Sequence, residues 1–157
     1  MKILVVMLFC FCLLCPGDMK EWPTHEICKK RDFEAYYKSC DPVQDIGVSI
    51  EPCSRTAFNH FHLKIGVLLR QDINELYSNI NVYVNGYYVL NIRKPLCEKT
   101  TQIVSICGKQ KGEFIIYDGN VNIGSSAFPE GDYVLNMNLV NENNFLIGCA
   151  NLTVNIH

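Results

Sequence analysis

Residues 40–53 read CDPVQDIGVSIEPC, and the fold can be inferred outward from this stretch. Ile46, Val48 and Ile50 alternate with polar residues and a glycine. Because side chains on a β-strand point alternately to opposite faces, the three apolar groups share one face and the polar groups face water. A cysteine at each end can tie the strand to a distant part of the chain. The stretch therefore predicts a one-faced strand inside a disulfide frame.

The same alternation recurs along most of the chain. It predicts one-faced strands at Phe33–Cys40, Phe61–Leu69, Ile80–Val84, Tyr88–Arg93, Tyr133–Leu139 and Leu146–Ile156. Many short strands with almost no helix are typical of a sandwich, so the expected fold class is all-β, an immunoglobulin-like β-sandwich of two antiparallel sheets. It is not a true immunoglobulin domain, because the only tryptophan, Trp22, precedes the first predicted strand.

Some segments depart from the alternation. Residues 72–77 carry apolar side chains at helical spacing, which predicts one or two helical turns. Pro95 is expected to end the strand before it, and residues 120–128 are expected to form irregular edge structure. On the last strand, Leu146 is expected to face inward together with the even-numbered residues that follow it.

The first residues are typical of a secretory signal peptide. Lys2 precedes an apolar run from Ile3 to Leu14, and the small residue Gly17 follows. A transmembrane anchor is the alternative, but a span needs about 20 apolar residues and this run is shorter. We expect residues 1–18 to be the signal peptide, residues 19–157 to form one domain, and the protein to be secreted and extracellular.

The cysteines fit an oxidising compartment. Three of the nine lie in the predicted signal peptide, and the remaining even number predicts three disulfide bonds that staple the fold. Spacing does not choose among the fifteen possible pairings, although the nine residues between Cys97 and Cys107 suit a local loop or hairpin. The cysteines concerned are Cys28, Cys40, Cys53, Cys97, Cys107 and Cys149.

Charge and side-chain chemistry exclude several functions. The formal net charge is −2 without a basic block, which argues against nucleic acid as a partner. His60 and His62 share a strand face and could supply two zinc ligands, but no third ligand is apparent and Lys64 shares that face. No serine or free cysteine lies in a nucleophile motif, so we expect neither a metal site nor an enzyme. The remaining acidic candidates are interpreted as turn, cap and surface groups: Asp41, Asp45, Glu51, Asp72 and Glu75.

Two further features have an open interpretation. Asn151-Leu152-Thr153 is an N-x-S/T sequon, and because Asn151 faces away from the apolar side of its strand, the site is a candidate for glycosylation. The inward apolar face of the sandwich can either fill a closed core or line a ligand cavity, and the pattern does not separate the two.

Several motifs resemble the ML family of secreted lipid-recognition domains. They are the cysteine frame, IGVSIEPC, LLRQDINELY, CGKQKGE, the turn PEGDY, and the flanking WPTHEIC, SCDPVQD and CANLT. The likeness covers nearly all of residues 19–157, and we identify this range as an ML lipid-recognition β-sandwich domain. The resemblance implies two sheets that part on one side around an apolar lipid pocket. It also implies the disulfides Cys28–Cys53, Cys40–Cys149 and Cys97–Cys107.

The resemblance also implies which residues line the pocket. Most of them are residues that strand alternation already turns inward. The implied lining is Ile46, Val48, Ile50, Leu63, Ile65, Val67, Ile80, Val82, Val121, Ile123, Phe128, Tyr133, Leu135, Met137, Leu152 and Val154.

The implied ligand is a phospholipid or another acylated lipid, with no other cofactor. The endotoxin-binding relative in this family has lysines around the pocket-mouth turn, whereas here residues 128–133 read FPEGDY. Carboxylates repel lipid phosphates, so a phospholipid or weaker endotoxin binding is expected here.

The implied partner is the ectodomain of a leucine-rich-repeat radioprotective receptor of B cells, a relative of the Toll-like receptors. The expected function is that of a secreted lipid-binding accessory protein, or co-receptor, which is held at the cell surface by this receptor and modulates innate immune responses to bacterial lipopolysaccharide. The alternative is a lipid-free β-sandwich interaction module that acts only through protein–protein contacts.

Overall fold

The computed structural model of the chain describes residues 21–56, 60–98, 106–122, 124 and 128–157. These residues form two antiparallel sheets, which confirms the predicted all-β sandwich; the predicted signal peptide lies outside them. The strands are β1 (His25–Lys29), β2 (Phe33–Ser39), β3 (Gly47–Glu51), β4 (His60–Leu68), β5 (Leu76–Val84), β6 (Tyr87–Cys97), β7 (Phe114–Asn122), β8 (Gly131–Asn141) and β9 (Leu146–Ile156).

The two sheets differ in width. The larger has the order β1-β2-β9-β8-β5-β6, and the smaller has the order β3-β4-β7. Strands β2 and β9 show why the larger sheet forms. The odd residues of β2 are buried and the even ones half-buried, and from Ala150 onward the even residues of β9 are buried and the odd ones half-buried. The small sheet covers only part of the large one, and this difference in width positions the candidate site described below.

A second layer of contacts closes one edge of the sandwich. His25 on β1 lies 2.7 Å from the Asp45 carboxylate before β3, and its ring stacks on Tyr37 with centroids 4.7 Å apart. The Tyr37 hydroxyl donates to the Ile46 carbonyl oxygen at 2.9 Å. The sequence prediction missed β1, whose short run of mixed residues gives little alternation.

Three disulfides fasten this frame. The structure pairs Cys28 with Cys53, Cys40 with Cys149 and Cys97 with Cys107, the same pairs that the resemblance implies. The first joins the two sheets at the closed edge. The second links residues 109 positions apart in the sequence, and the third closes a loop of separation 10.

The predicted helical turns before β5 are absent, and that prediction is wrong. Ile73 instead forms an isolated bridge with Lys109 and is fully buried in an extended segment. The Glu142 carboxylate accepts hydrogen bonds from the backbone N–H groups of Asn74 and Glu75 at 3.3 and 3.1 Å. These contacts satisfy backbone N–H groups that a helical turn would otherwise pair. The tertiary hydrogen bonds therefore favour an extended segment, although its apolar residues have helical spacing.

Regular strand structure continues past Arg93 and also occupies residues 120–122, where the sequence predicted neither. Pro95 does not end its strand, because β6 continues to Cys97. β6 is at the edge of the larger sheet, where a missing backbone N–H is tolerated. β7 extends to Asn122 in continuous register with β4, so the first part of residues 120–128 is regular strand, not irregular edge structure.

A β-bulge reverses the predicted facing of Leu146. Pairing between β8 and β9 shifts between Leu139 and Val140, which lie opposite Gly148 and Leu146. Ile147 is therefore the extra residue, and it is buried in the core while Leu146 is only half-buried. The alternation on β9 holds only after the bulge.

Asp41 is fully buried, so its interpretation as a surface group is wrong. Its carboxylate accepts hydrogen bonds from the Arg70 guanidinium and, at 3.0 Å, from the Val43 backbone N–H. The Trp22 indole N–H donates to the Asp41 carbonyl oxygen at 2.6 Å. A buried carboxylate needs such partners because its desolvation is costly.

Among the described residues, no helix has the length and apolar character that a membrane span requires.

Candidate ligand site between the sheets

The buried core consists of two separate clusters. On β5, β8 and β9 the clusters occupy opposite ends of the strands. The first contains Cys28, Phe33, Ala35, Tyr37, Tyr133, Leu152, Val154 and Ile156. The second contains Val67, Leu69, Ile73, Leu76, Cys97, Ile115 and Ile147.

Apolar residues between the clusters face inward but remain half-buried. Pairing places Ile50 opposite Leu63 on the small sheet, and Val82 opposite Leu135 on the large one. A closed sandwich would bury such residues fully. The central residues that belong to neither cluster are Ile50, Leu63, Ile65, Ile80, Val82 and Val121.

The sandwich is open along β6. Leu90 and Ile92 pair with Val82 and Ile80, so they share the inward face of the large sheet. Leu90 is nevertheless 41% exposed, because the smaller sheet does not reach this edge. Neither residue was predicted to line the site, although pairing across the Asn85-Gly86 turn places them opposite two predicted lining residues.

The inner wall on β7 is shaped by an aromatic side chain lying over a glycine. A Cβ atom added at Gly119 would lie 2.7 Å from the Tyr117 hydroxyl oxygen. The absence of a side chain at Gly119 therefore lets the Tyr117 ring lie along the wall. On this strand Ile115 and Tyr117 face inward, while Phe114 and Ile116 are exposed.

The interior offers few polar groups to a ligand. The Ser78 hydroxyl donates to the Lys94 carbonyl oxygen at 3.2 Å, and the Tyr133 hydroxyl donates to the Pro129 carbonyl oxygen at 2.9 Å. The inward-facing positions of β4, β5, β7 and β8 carry no charged side chain in the part of the chain that the structure describes. Such a surface suits hydrocarbon and gives little hydrogen-bonding specificity.

A lysine lies on the exposed part of the same inner face. Lys94 is paired with Ser78, so it shares the inward register of β6 with Ile92. Its ammonium group is exposed and forms no ion pair with any described residue. Sequence analysis did not single it out, because β6 was predicted to end before Pro95.

The acidic turn lies at one end of the sandwich. Phe128 packs edge-to-face against Tyr133, with ring centroids 5.8 Å apart. Glu130 is not alone there, because the Arg55 guanidinium lies 3.4 Å from its carboxylate. The Asp132 backbone exchanges hydrogen bonds with Asn85, at 2.7 and 2.9 Å, which ties this turn to the β5–β6 hairpin.

The predicted lining residues differ in how deeply they are buried. Val67, Tyr133, Leu152 and Val154 are buried parts of the two clusters, and Ile123 lies outside the described residues. The remaining predicted residues are half-buried on the inner faces or at the Phe128 turn: Ile46, Val48, Ile50, Leu63, Ile65, Ile80, Val82, Val121, Phe128, Leu135 and Met137.

The histidines considered as zinc ligands lie on the outer face of the small sheet. His62 Nε2 is 2.6 Å from the Asp118 carboxylate, which also forms an ion pair with the Lys64 ammonium group at 3.0 Å. The hydrogen bond from Lys64 is the main cause that lowers the pKa of Asp118. Within the described ranges, no group of three His, Cys, Asp or Glu side chains is placed to hold a metal.

A small surface cavity lies away from this interior. Its volume is about 270 Å³, and it lies beside the buried Asp41–Arg70 pair. We assign the candidate site to the space between the sheets, because half-buried apolar side chains from both sheets converge there. The cavity is lined by Asp41, Pro42, Arg70, Gln71, Phe145 and Leu146.

Comparisons with known proteins agree with this architecture. Residues 34–156 match the family model described as ML domain. Lymphocyte antigen 86 of Gallus gallus is 40% identical over 98% of this chain and 96% of its own length, and that of Homo sapiens is 38% identical over 98% of each. The crystal structure of chicken MD-1 complexed with lipid IVa superposes with a TM-score of 0.81 at 39% identity, covering 87% of this chain and 99% of that one. The chain therefore belongs to the ML-domain family.

Proposed function

We propose that this chain is a secreted protein that holds the acyl chains of a lipid between its sheets. In this role it would serve as accessory subunit, or co-receptor, of a leucine-rich-repeat radioprotective receptor of B cells. It would be held at the cell surface by that receptor and would modulate responses to bacterial lipopolysaccharide. The proposal contains no catalytic step.

One observation carries the lipid-binding part. The central inward-facing residues, such as Leu63 and Val82, are apolar, half-buried and outside both core clusters. Leaving such side chains partly hydrated costs free energy that acyl chains can recover, at about 0.8 kcal/mol for each CH2 group removed from water. The edge at Leu90 gives the chains a way in.

The relatives support the ligand class. The related chicken MD-1 was crystallised in complex with lipid IVa, an acylated lipid. We infer that the ligand here is a phospholipid or another acylated lipid. The Arg55–Glu130 contact lessens the negative charge of the turn at residues 128–133 without making it basic.

We predict that Lys94 contributes to binding the lipid's phosphate group. The Lys94→Glu variant should weaken binding of phosphatidylglycerol by about fivefold, since one exposed charge contact contributes about 1 kcal/mol. Binding of uncharged diacylglycerol should not change. Competition of each lipid with a fluorescent fatty acid measures both affinities.

The matched control is the neighbouring residue on the same strand. Arg93 faces the opposite side of β6, where its guanidinium lies 5.9 Å from the centre of the Tyr77 ring. Arg93→Glu should leave both lipids bound as in the unmodified protein. An equal loss of phosphatidylglycerol binding in the two variants would contradict the assignment.

Co-expression with the receptor tests the proposed co-receptor role. We expect the protein to co-purify with the secreted ectodomain of the leucine-rich-repeat receptor from mammalian cells, and receptor surface display to fall when the protein is omitted. A protein that does not co-purify and does not change display would contradict the co-receptor role while leaving lipid binding intact.

The alternative, a lipid-free interaction module, is favoured by an exposed apolar patch. Phe114 and Ile116 are 66% and 58% exposed on the outer face of the small sheet, and Leu68 beside them is 49% exposed. Lipid-free protein that binds the receptor at full strength would favour this alternative.

A further inference from the structure

The outer face of the larger sheet carries a row of asparagines across four neighbouring strands. Register pairing aligns Asn91 on β6 with Asn81 on β5, Asn81 with Asn136 on β8, and Asn136 with Asn151 on β9. Their sequence neighbours on β5 and β8 face inward, so the amides face outward. At a strand spacing of roughly 4.8 Å, the row is about 14 Å long. We call these four residues the amide row.

Neighbouring amides in the row bind each other. Asn136 Nδ2 donates to Asn151 Oδ1 at 2.7 Å, and Asn91 Nδ2 donates to Asn81 Oδ1 at 2.8 Å. Asn91 Nδ2 also donates to Oδ1 of Asn79, which lies two residues before Asn81 on the same face of β5. These bonds fix the orientation of the amide planes on the sheet surface.

The same bonds leave amide groups open to a ligand. Nδ2 of Asn81 and of Asn151 has no hydrogen-bond partner among the described residues, and the same is true of Oδ1 of Asn136. Each of these side chains is only half-buried, so the open atoms are accessible. An amide presents both donors and an acceptor, which matches a ligand rich in hydroxyl and acetamido groups.

The surroundings of the row favour a neutral, sugar-like ligand. The row itself carries no charge, and tyrosines lie in the adjacent register, with Tyr83 and Tyr88 in edge-to-face contact at 5.6 Å. On the far side, Lys38 on β2 lies opposite Asn151, with its charge paired to the Glu21 carboxylate, and Tyr36 lies opposite Thr153. Tyrosine rings next to uncharged amides offer both an apolar face and hydrogen bonds, the combination that a pyranose ring requires.

The sequence indicates which sugar is present, because the last member of the row belongs to the sequon Asn151-Leu152-Thr153. The bond from Asn136 uses Asn151 Oδ1 and leaves Nδ2, the atom that N-glycosylation modifies, without a partner in the described structure. We propose that the inner sugars of an N-linked glycan at this sequon lie along the amide row over β8 and β5.

The modification has a defined chemistry and a defined order. The Nδ2–C1 bond forms at the anomeric carbon of an oligosaccharide linked to a polyprenyl diphosphate, the C1–O bond to the diphosphate breaks, and the amide loses one proton. β9 is paired on both sides, with β2 and with β8, through Asn151 itself. The transfer therefore precedes the docking of β9, and folding then brings the glycan onto the amide row.

The glycan has a structural consequence. It covers the polar outer face of the larger sheet and leaves the open edge at β6 and the outer face of the small sheet accessible. The inference shares with the proposed function only the secretory route. It does not depend on lipid binding.

The test uses the full chain secreted from mammalian cells. Intact mass with and without peptide N-glycosidase treatment should show one glycan that the Thr153→Ala variant lacks. In the isotope-labelled glycoprotein, nuclear Overhauser contacts should join inner-sugar protons to the side-chain amide protons of Asn136 and Asn81. In addition, Asn81→Ala should lower the Tm of the glycosylated protein by about 3 °C more than that of the Thr153→Ala protein.

A matched control is Asn120, an exposed asparagine on the outer face of the other sheet. Asn120→Ala should change the Tm equally in the glycosylated and Thr153→Ala backgrounds. An unmodified Asn151, or a glycan without contacts to the row and with equal effects of Asn81→Ala in both backgrounds, would overturn the inference. None of these outcomes changes the result of the lipid-binding measurements.

Discussion

The Val82→Glu variant should fold and be secreted but should retain no lipid. Val82 faces inward on β5, opposite Leu135 and Leu90, in the half-buried region between the two core clusters. A carboxylate there remains hydrated in the empty protein but loses its water when an acyl chain enters. An unpaired buried charge costs several kcal/mol, so we expect at least about a hundredfold loss of affinity. Native mass spectrometry measures the bound lipid directly.

Two further variants make this prediction specific. Asn81→Glu places the same charge on the preceding residue, which faces the opposite side of the sheet, and should leave lipid binding intact. Ile65→Glu places it on the facing small sheet and should remove the lipid as Val82→Glu does. Circular dichroism establishes that each variant is folded. A folded Val82→Glu protein with normal lipid content would contradict the cavity assignment.

Replacing Cys40 and Cys149 by serine should cost more stability than removing either other disulfide. This bond links residues 109 positions apart. Closing a loop of that length lowers the entropy of the unfolded chain, which stabilises the folded state by about 5 kcal/mol. The same relation gives about 3.5 kcal/mol for Cys28–Cys53 and about 3 kcal/mol for Cys97–Cys107, with separations of 25 and 10. Urea unfolding of the three double variants measures the order.

The loss of the long-range bond also has a local consequence. Cys40 immediately precedes Asp41, whose buried carboxylate is paired with Arg70. The backbone N–H of Cys40 donates to the Cys149 carbonyl oxygen at 3.1 Å. The Cys97–Cys107 variant is therefore the appropriate control, since its loop lies elsewhere. A larger loss of stability in that variant would show that chain entropy does not set the order.

Strand alternation predicted much of the fold, because the two-residue period of the side chains depends only on residues that are close in sequence. On β8, Tyr133, Leu135 and Met137 face inward as the sequence indicates, and they pack against the first core cluster. The hairpin turn after β5 is formed by Asn85-Gly86, whose φ angles of 50° and 81° are positive, as such a turn requires.

Other features depend on pairing partners that the alternation does not reveal. The bulge that buries Ile147 arises from the register of β8, and the buried Asp41 has its partner on a distant strand end. Likewise, alternation turns Leu90 inward without telling which strands of the other sheet cover it. A closed core and an open cavity have the same one-faced strands, so the width of each sheet had to come from the structure.

The most direct test of the cavity is native mass spectrometry of the unmodified secreted protein, followed by solvent extraction and lipid analysis. The account predicts a stoichiometric mass excess over the chain, its disulfides and its glycan, released on extraction as phospholipid or another acylated lipid. A mass fully explained by chain, disulfides and glycan, with no uptake of added phospholipid, would contradict the account and favour the lipid-free interaction module.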